Sequence, residues 1–89
     1  MDLKALQRRL AELFLERDRQ RGLERTFMKL VEEVGELSEA LLGEGSVEEE
    51  LADVIARSIS IANLLGLDVE EILIKKYPEL SLRKLLGEL

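Results

Sequence analysis

The sequence predicts an all-α fold, a four-helix-bundle type of subunit whose helices pack antiparallel and whose core is completed by oligomerisation. Three observations lead there. Apolar residues recur at three- and four-residue spacing along most of the chain. Glycines and a single proline divide it into helix-length segments. No alternating strand pattern, repeat, low-complexity tract or linker interrupts those segments. With 89 residues the chain reads as one domain, residues 1–89, and a domain of that size buries only about 60–65% of the surface its unfolded chain exposes. A partner subunit would supplement so small a core.

Leu3, Leu6, Leu10, Leu13 and Phe14 mark the first helix, and Gly22 is its stop signal. The second begins at Leu23 or Glu24, carries Phe27, Leu30, Val31, Val34, Leu37, Leu41 and Leu42, and ends in the turn Gly43-Glu44-Gly45. Ser46 with Glu49 three residues on reads as a capping box opening the third helix, which runs to Leu65 and stops at Gly66. Asp68 and Glu71 repeat the device for a short fourth helix. That helix ends near Tyr77, because Pro78 disfavours helical geometry at the residue before it. Ser81 can cap a last short segment through Leu82, Leu85 and Leu86.

Composition narrows the chemistry. The chain is 46% hydrophobic and 36% charged, a globular balance rather than a disordered one. It has no apolar run of the roughly 18 residues that span a bilayer and no signal-peptide core in MDLKALQRRL, so no membrane partner and a cytoplasmic location are expected. A net charge of −6 argues against nucleic acid, whose binding draws on Lys and Arg. With neither Cys nor His, any metal must be hard and oxygen-bound, and any general base must be Glu, Asp, Lys or Tyr.

Helical wheels sort the acids. On the second helix the apolar positions fan from about 40° to 180° when Glu33 is set at zero, which places Glu33 at the border of that arc with Glu36 about 60° further out. On the third helix, apolar and small residues cover roughly 220°, leaving a narrow strip with Glu49, Glu50, Asp53, Arg57 and Ser60. Packed antiparallel across a short glycine turn, the pairs Glu33/Glu36 and Glu50/Asp53 face each other. Four converging carboxylates repel unless paired, protonated or bound to metal. Lys29 and Arg57 are the nearby cations. All-oxygen ligation suits Mg²⁺, with Mn²⁺ an alternative. The other reading is plain: 19 acids in 89 residues give such spacings by chance, and acidic helix faces are commonly solvated.

Glu32-Glu33-Val34-Gly35-Glu36-Leu37 followed by Glu50-Leu51-Ala52-Asp53-Val54-Ile55 resembles the E-E-x-x-E…E-x-x-D signature of the MazG-like all-α nucleoside triphosphate pyrophosphohydrolases, over roughly residues 10–78. The resemblance implies a four-helix-bundle subunit assembled as a dimer or tetramer. It implies Mg²⁺-dependent cleavage of a nucleoside triphosphate between the α and β phosphates, to a monophosphate and pyrophosphate. Carried over by position, Glu33, Glu36, Glu50 and Asp53 would be metal ligands, and Glu32 would orient the attacking water or hold a second metal. Lys29, Arg57, Lys76 and Tyr77 are the substrate-binding candidates, and the basic run Arg17, Arg19, Arg21 and Arg25 lies where such proteins often place substrate contacts.

Two features depart from the pattern. Val69 and Leu73 stand where close members carry Lys and Asn ahead of Tyr77-Pro78, and no Trp is available for a base pocket, so Phe14, Phe27 or Tyr77 would have to stack on a base. A phosphoribosyl-ATP pyrophosphatase-like enzyme shares the size and acidic spacing, but that group usually has His where Arg57 stands. A non-catalytic helical oligomer, its acids paired with Lys29 and Arg57, is the alternative from outside enzymology.

Overall fold

The computed structural model describes residues 1–81. Four helices are formed: α1 Leu3–Arg21, α2 Leu23–Leu41, α3 Val47–Leu65 and α4 Val69–Lys76, with no strand among the described residues. Each boundary has a local cause. Asp2 Oδ1 accepts from Ala5 N–H at 2.8 Å, Ser46 Oγ from Glu49 N–H at 3.3 Å and Asp68 Oδ1 from Glu71 N–H at 2.9 Å. Each such bond satisfies one of the amide donors a helix start leaves open. Gly66 ends α3 in the left-handed conformation, φ 69°, as a C-terminal glycine does.

Beyond Tyr77 the chain turns again over residues 79–81, with Leu80 N–H on Tyr77 O and Ser81 N–H on Pro78 O. Ser81 therefore sits inside this turn instead of capping it. Pro78, lacking an N–H and fixed in φ, is suited to open it. The proposed apolar positions Leu82, Leu85 and Leu86 lie outside the described residues.

α2 and α3 form the main packed pair, α1 lies chiefly against α3, and smaller contacts join α1 to α2 and to α4. The helices do not turn the faces that their leucines suggest. On α1, Leu6 and Leu13 are exposed while Gln7 and Asp18 are buried; the Gln7 side chain serves backbone groups at the helix junction, and the Asp18 carboxylate accepts from Arg17. On α2 the most buried residues are Thr26 and Ala40, seven before and seven after Glu33. A seven-residue step turns a helix by only about 20°, so Glu33 stands at the centre of the inward face and not at its border.

The apolar side of α2 consequently looks outward: Phe27, Val31, Val34, Leu41 and Leu42 are all exposed, as are Leu51, Ile55 and Leu65 on α3. Among the described residues only Ala40, Ile59 and Ala62 are fully buried hydrophobics, at 4, 5 and 6% exposure. The third helix is thus only partly covered within one subunit, its buried residues being Ile59, Ser60 and Ala62 near its C-terminal end.

Gln7 knits the far end. Its Nε2 donates to Asn63 Oδ1 at 2.9 Å and Leu67 O at 2.7 Å, and its Oε1 accepts from Val69 N–H at 2.8 Å. Lys4 Nζ adds an ion pair to Asp68 at 2.9 Å. A single side chain so ties α1 to the end of α3 and the start of α4. Gln7→Ala leaves these groups unpaired and is expected to cost about 1–3 kcal/mol, read as a lower urea midpoint together with faster hydrogen exchange at Val69; an unchanged midpoint would mean the hub contributes nothing net.

Candidate metal centre

The turn between α2 and α3 is built for a tight reversal. Gly43 and Gly45 have φ of 100° and 130°, values that side chains with a Cβ rarely adopt, and Ser46 starts α3 at once. The short reversal lays α3 antiparallel on α2 and brings the two acidic pairs to one level. One carboxylate oxygen from each of Glu33, Glu50 and Asp53 lies within 4.8 Å of the other two.

Little neutralises this trio. Glu33 Oε1 is 3.9 Å from Arg57 Nε, a long ion pair. Glu33 Oε2 and Glu50 Oε2 are buried without a hydrogen-bond partner, a costly state for a charged oxygen. Burial pushes the Glu33 carboxyl above the ordinary carboxylate range; the charge of Asp53 and the charge and hydrogen bonding of Glu36 push the same way, and Arg57 opposes. Glu50 is raised too, first by burial, next by Glu36 and then by the charges of Asp53 and Glu33. The groups resist ionising together because nothing positive stands between them.

A divalent cation would reverse that. The donor set is purely carboxylate and hard, with Glu33 and Glu50 partly buried and Asp53 exposed, and the orphaned oxygens are its free ligands. Such a set fits Mg²⁺ or Mn²⁺ better than a softer metal.

The other expected site residues divide. Glu36 is exposed and outside the close trio, yet near enough to act on Glu33 and Glu50. Glu32 is exposed beside it, its Oε2 3.3 Å from Lys29 Nζ. Arg57 is brought to the cluster by its pair with Glu33. Lys76 and Tyr77 lie exposed at the end of α4, a helix that packs on α1 rather than on the α2–α3 pair. Glu39, Glu44 and Glu48 are exposed.

The first helix brings two residues already singled out in the sequence, Phe14 and Arg17, alongside α3. Phe14 and Arg17 form, with Asp53, Ala56, Arg57 and Ser60, a recess of about 100 Å³ beside the trio. The Arg17 guanidinium sits 4.4 Å from the centre of the Phe14 ring. The three-residue spacing of Phe14 and Arg17 placed them on one face, but which face met α3 was not written in it.

The profile of the MazG nucleotide pyrophosphohydrolase domain matches residues 21–81, a span that takes in both acidic pairs and begins where α1 ends. No curated protein matches the chain significantly.

Because Glu33 and Glu50 hold their protons to higher pH in the folded protein than in the unfolded chain, the folded state binds more protons across that window. Metal-free protein should therefore lose stability as pH rises from the ordinary carboxylate range through the raised values, and Glu50→Gln should flatten that dependence. Mn²⁺ should raise the melting temperature at neutral pH, with stabilisation of about 2.7 kcal/mol at a hundred times its Kd. A melting temperature indifferent to both pH and Mn²⁺ would contradict the site.

Proposed function

The chain belongs to the MazG nucleotide pyrophosphohydrolase domain family, and on that premise we propose that it hydrolyses a nucleoside triphosphate between the α and β phosphates, with Mg²⁺ or Mn²⁺ as cofactor, giving a monophosphate and pyrophosphate. The observation that carries this reading is the pair of buried, unpartnered oxygens on Glu33 and Glu50 within the trio completed by Asp53. Glu33, Glu50 and Asp53 hold the cation, with Glu36 at the edge of the set. The cation, when bound, supplies charge neutralisation for the phosphates and polarises the bond to be cleaved.

The chain's own groups do the rest. Glu32, exposed next to the cluster, takes the proton of the attacking water, a role open to a carboxylate when His is absent. Lys29, 3.3 Å from Glu32, and Arg57, beside Glu33, offer positive charge to phosphate oxygens. Lys76 and Tyr77 reach substrate only if assembly brings the end of α4 to a site. Nucleoside triphosphates as substrate fit a cytoplasmic enzyme. No helix among the described residues is long and apolar enough to cross a membrane.

Self-association as a dimer or tetramer belongs to the same proposal. It is supported by the outward apolar sides of α2 and α3, which no part of the described chain covers. Gly35 points the same way. It lies within α2, where glycine costs about 0.5–1 kcal/mol relative to alanine, yet a Cβ there would meet nothing within 4 Å. The subunit's own packing does not require it.

Incubated with Mg²⁺ and a panel of standard, deoxy and modified triphosphates, the protein should release pyrophosphate. Glu36→Gln and Asp53→Asn should each lower turnover by more than the roughly 10–100-fold that loss of a mere supporting group around a metal costs. Absence of turnover over the whole panel, or full turnover by both variants, would overturn the proposal.

A further inference from the structure

The recess between α1 and α3 carries an inference that rests on the pyrophosphohydrolase reading and refines it. It measures about 100 Å³ and is lined by Asp53, Ser60 and two arginines beside Phe14 and Ala56, a lining that suits an anionic group bound next to a cation. One wall is Asp53, a member of the carboxylate trio, so whatever sits there lies beside the cation. Two of the other walls are Arg17 and Arg57.

We propose that this recess seats the pyrophosphate end of the substrate and that Arg17, held on the Phe14 ring, is the group that grips it together with Arg57. A guanidinium carries five N–H donors in a planar fork that matches phosphate oxygens in pairs. Arg17 uses Nε and Nη2 on Asp18 Oδ1 at the long distances of 3.4 and 3.2 Å, and Arg57 makes only the 3.9 Å pair with Glu33. Both retain donors for an anion. Phe14 fixes the plane of the Arg17 group from one side, which reduces the freedom lost on binding.

The rest of the basic run is placed differently. Arg21 turns to Asp18, with Nη1 4.0 Å from Oδ1, while Arg19 and Arg25 are exposed and neither lines the recess. The cation–π contact occupies one face of Phe14. Arg17 lies before the span that the family profile covers, so the grip is contributed by α1 of this chain.

The test is direct binding of inorganic pyrophosphate by calorimetry, in Mn²⁺ and again in EDTA, to wild type, Arg17→Gln and Arg17→Lys. Loss of hydrogen bonds to a charged group should weaken pyrophosphate binding by about 10–100-fold in Arg17→Gln. Arg17→Lys retains the charge beside Asp18 but not the fork, and should recover part of the loss. Affinity for a nucleoside monophosphate and the Mn²⁺-induced rise in melting temperature should be unchanged in both variants. Pyrophosphate binding that is undetectable in wild type, or equal in all three proteins under both conditions, overturns the inference. A wild-type protein that binds pyrophosphate through Arg17 yet shows no Mn²⁺ shift would instead fault the metal-dependent reading and leave the grip standing.

Discussion

Three carboxylates held within 4.8 Å of one another carry a repulsion that the rest of the subunit must contain. Two of their oxygens have no partner and the nearest guanidinium stands off at 3.9 Å. Glu33 and Glu50 are partly buried by the surrounding structure, while Asp53 stays open to solvent. Here the glycine turn fixes the register of α2 on α3, Thr26 and Ala40 pin α2 so that Glu33 points inward, and α1 closes the side on which Arg57 and Ser60 lie. The site is therefore held by backbone geometry rather than by compensating charge.

This arrangement inverts the usual layering of a small helical protein. Polar groups occupy much of the packed face, while leucine, valine and phenylalanine side chains of α2 and α3 face out. At about 25 cal/mol per Å² of apolar surface removed from water, that uncovered face is the largest store of stabilisation the subunit has not used. Cation and partner thus address the same deficit from opposite sides: one relieves the interior, the other the exterior.

Most helix boundaries were legible because each depends on a few neighbouring residues: Ser46 and Asp68 as caps, Gly22, Gly45 and Gly66 as joints. The facing of Glu33, Glu50 and Asp53 was legible too, since spacing on two helices joined by a short turn determines it. The rotation of each helix about its own axis was harder. The wheel ranked Glu33 at the edge of an apolar arc on the assumption that the widest apolar face is the buried one, an assumption that fails when that face is left open in the subunit. Gln7 escaped notice for a related reason: its burial is justified by bonds to Leu67 and Val69, partners that no local pattern reveals. The recess at Phe14 and Arg17 depends on how α1 crosses α3, which lies beyond single-helix periodicity.

The joint between α1 and α2 is a single residue, Gly22, at φ 92° and ψ 159°, backbone that is nearly reserved to glycine. Its N–H is bonded to Asp18 O at 2.8 Å and its carbonyl accepts from Thr26 Oγ1 at 2.9 Å, and both Asp18 and Thr26 are buried. Connections between helices ordinarily absorb insertions and deletions with little effect. Here one residue gained or lost would turn α1 against α2 by about 100°, carrying Phe14 and Arg17 away from the α2–α3 pair while every side chain stayed intact. The spacing between α1 and α2 is thus a requirement of its own, separate from the chemistry of the carboxylates.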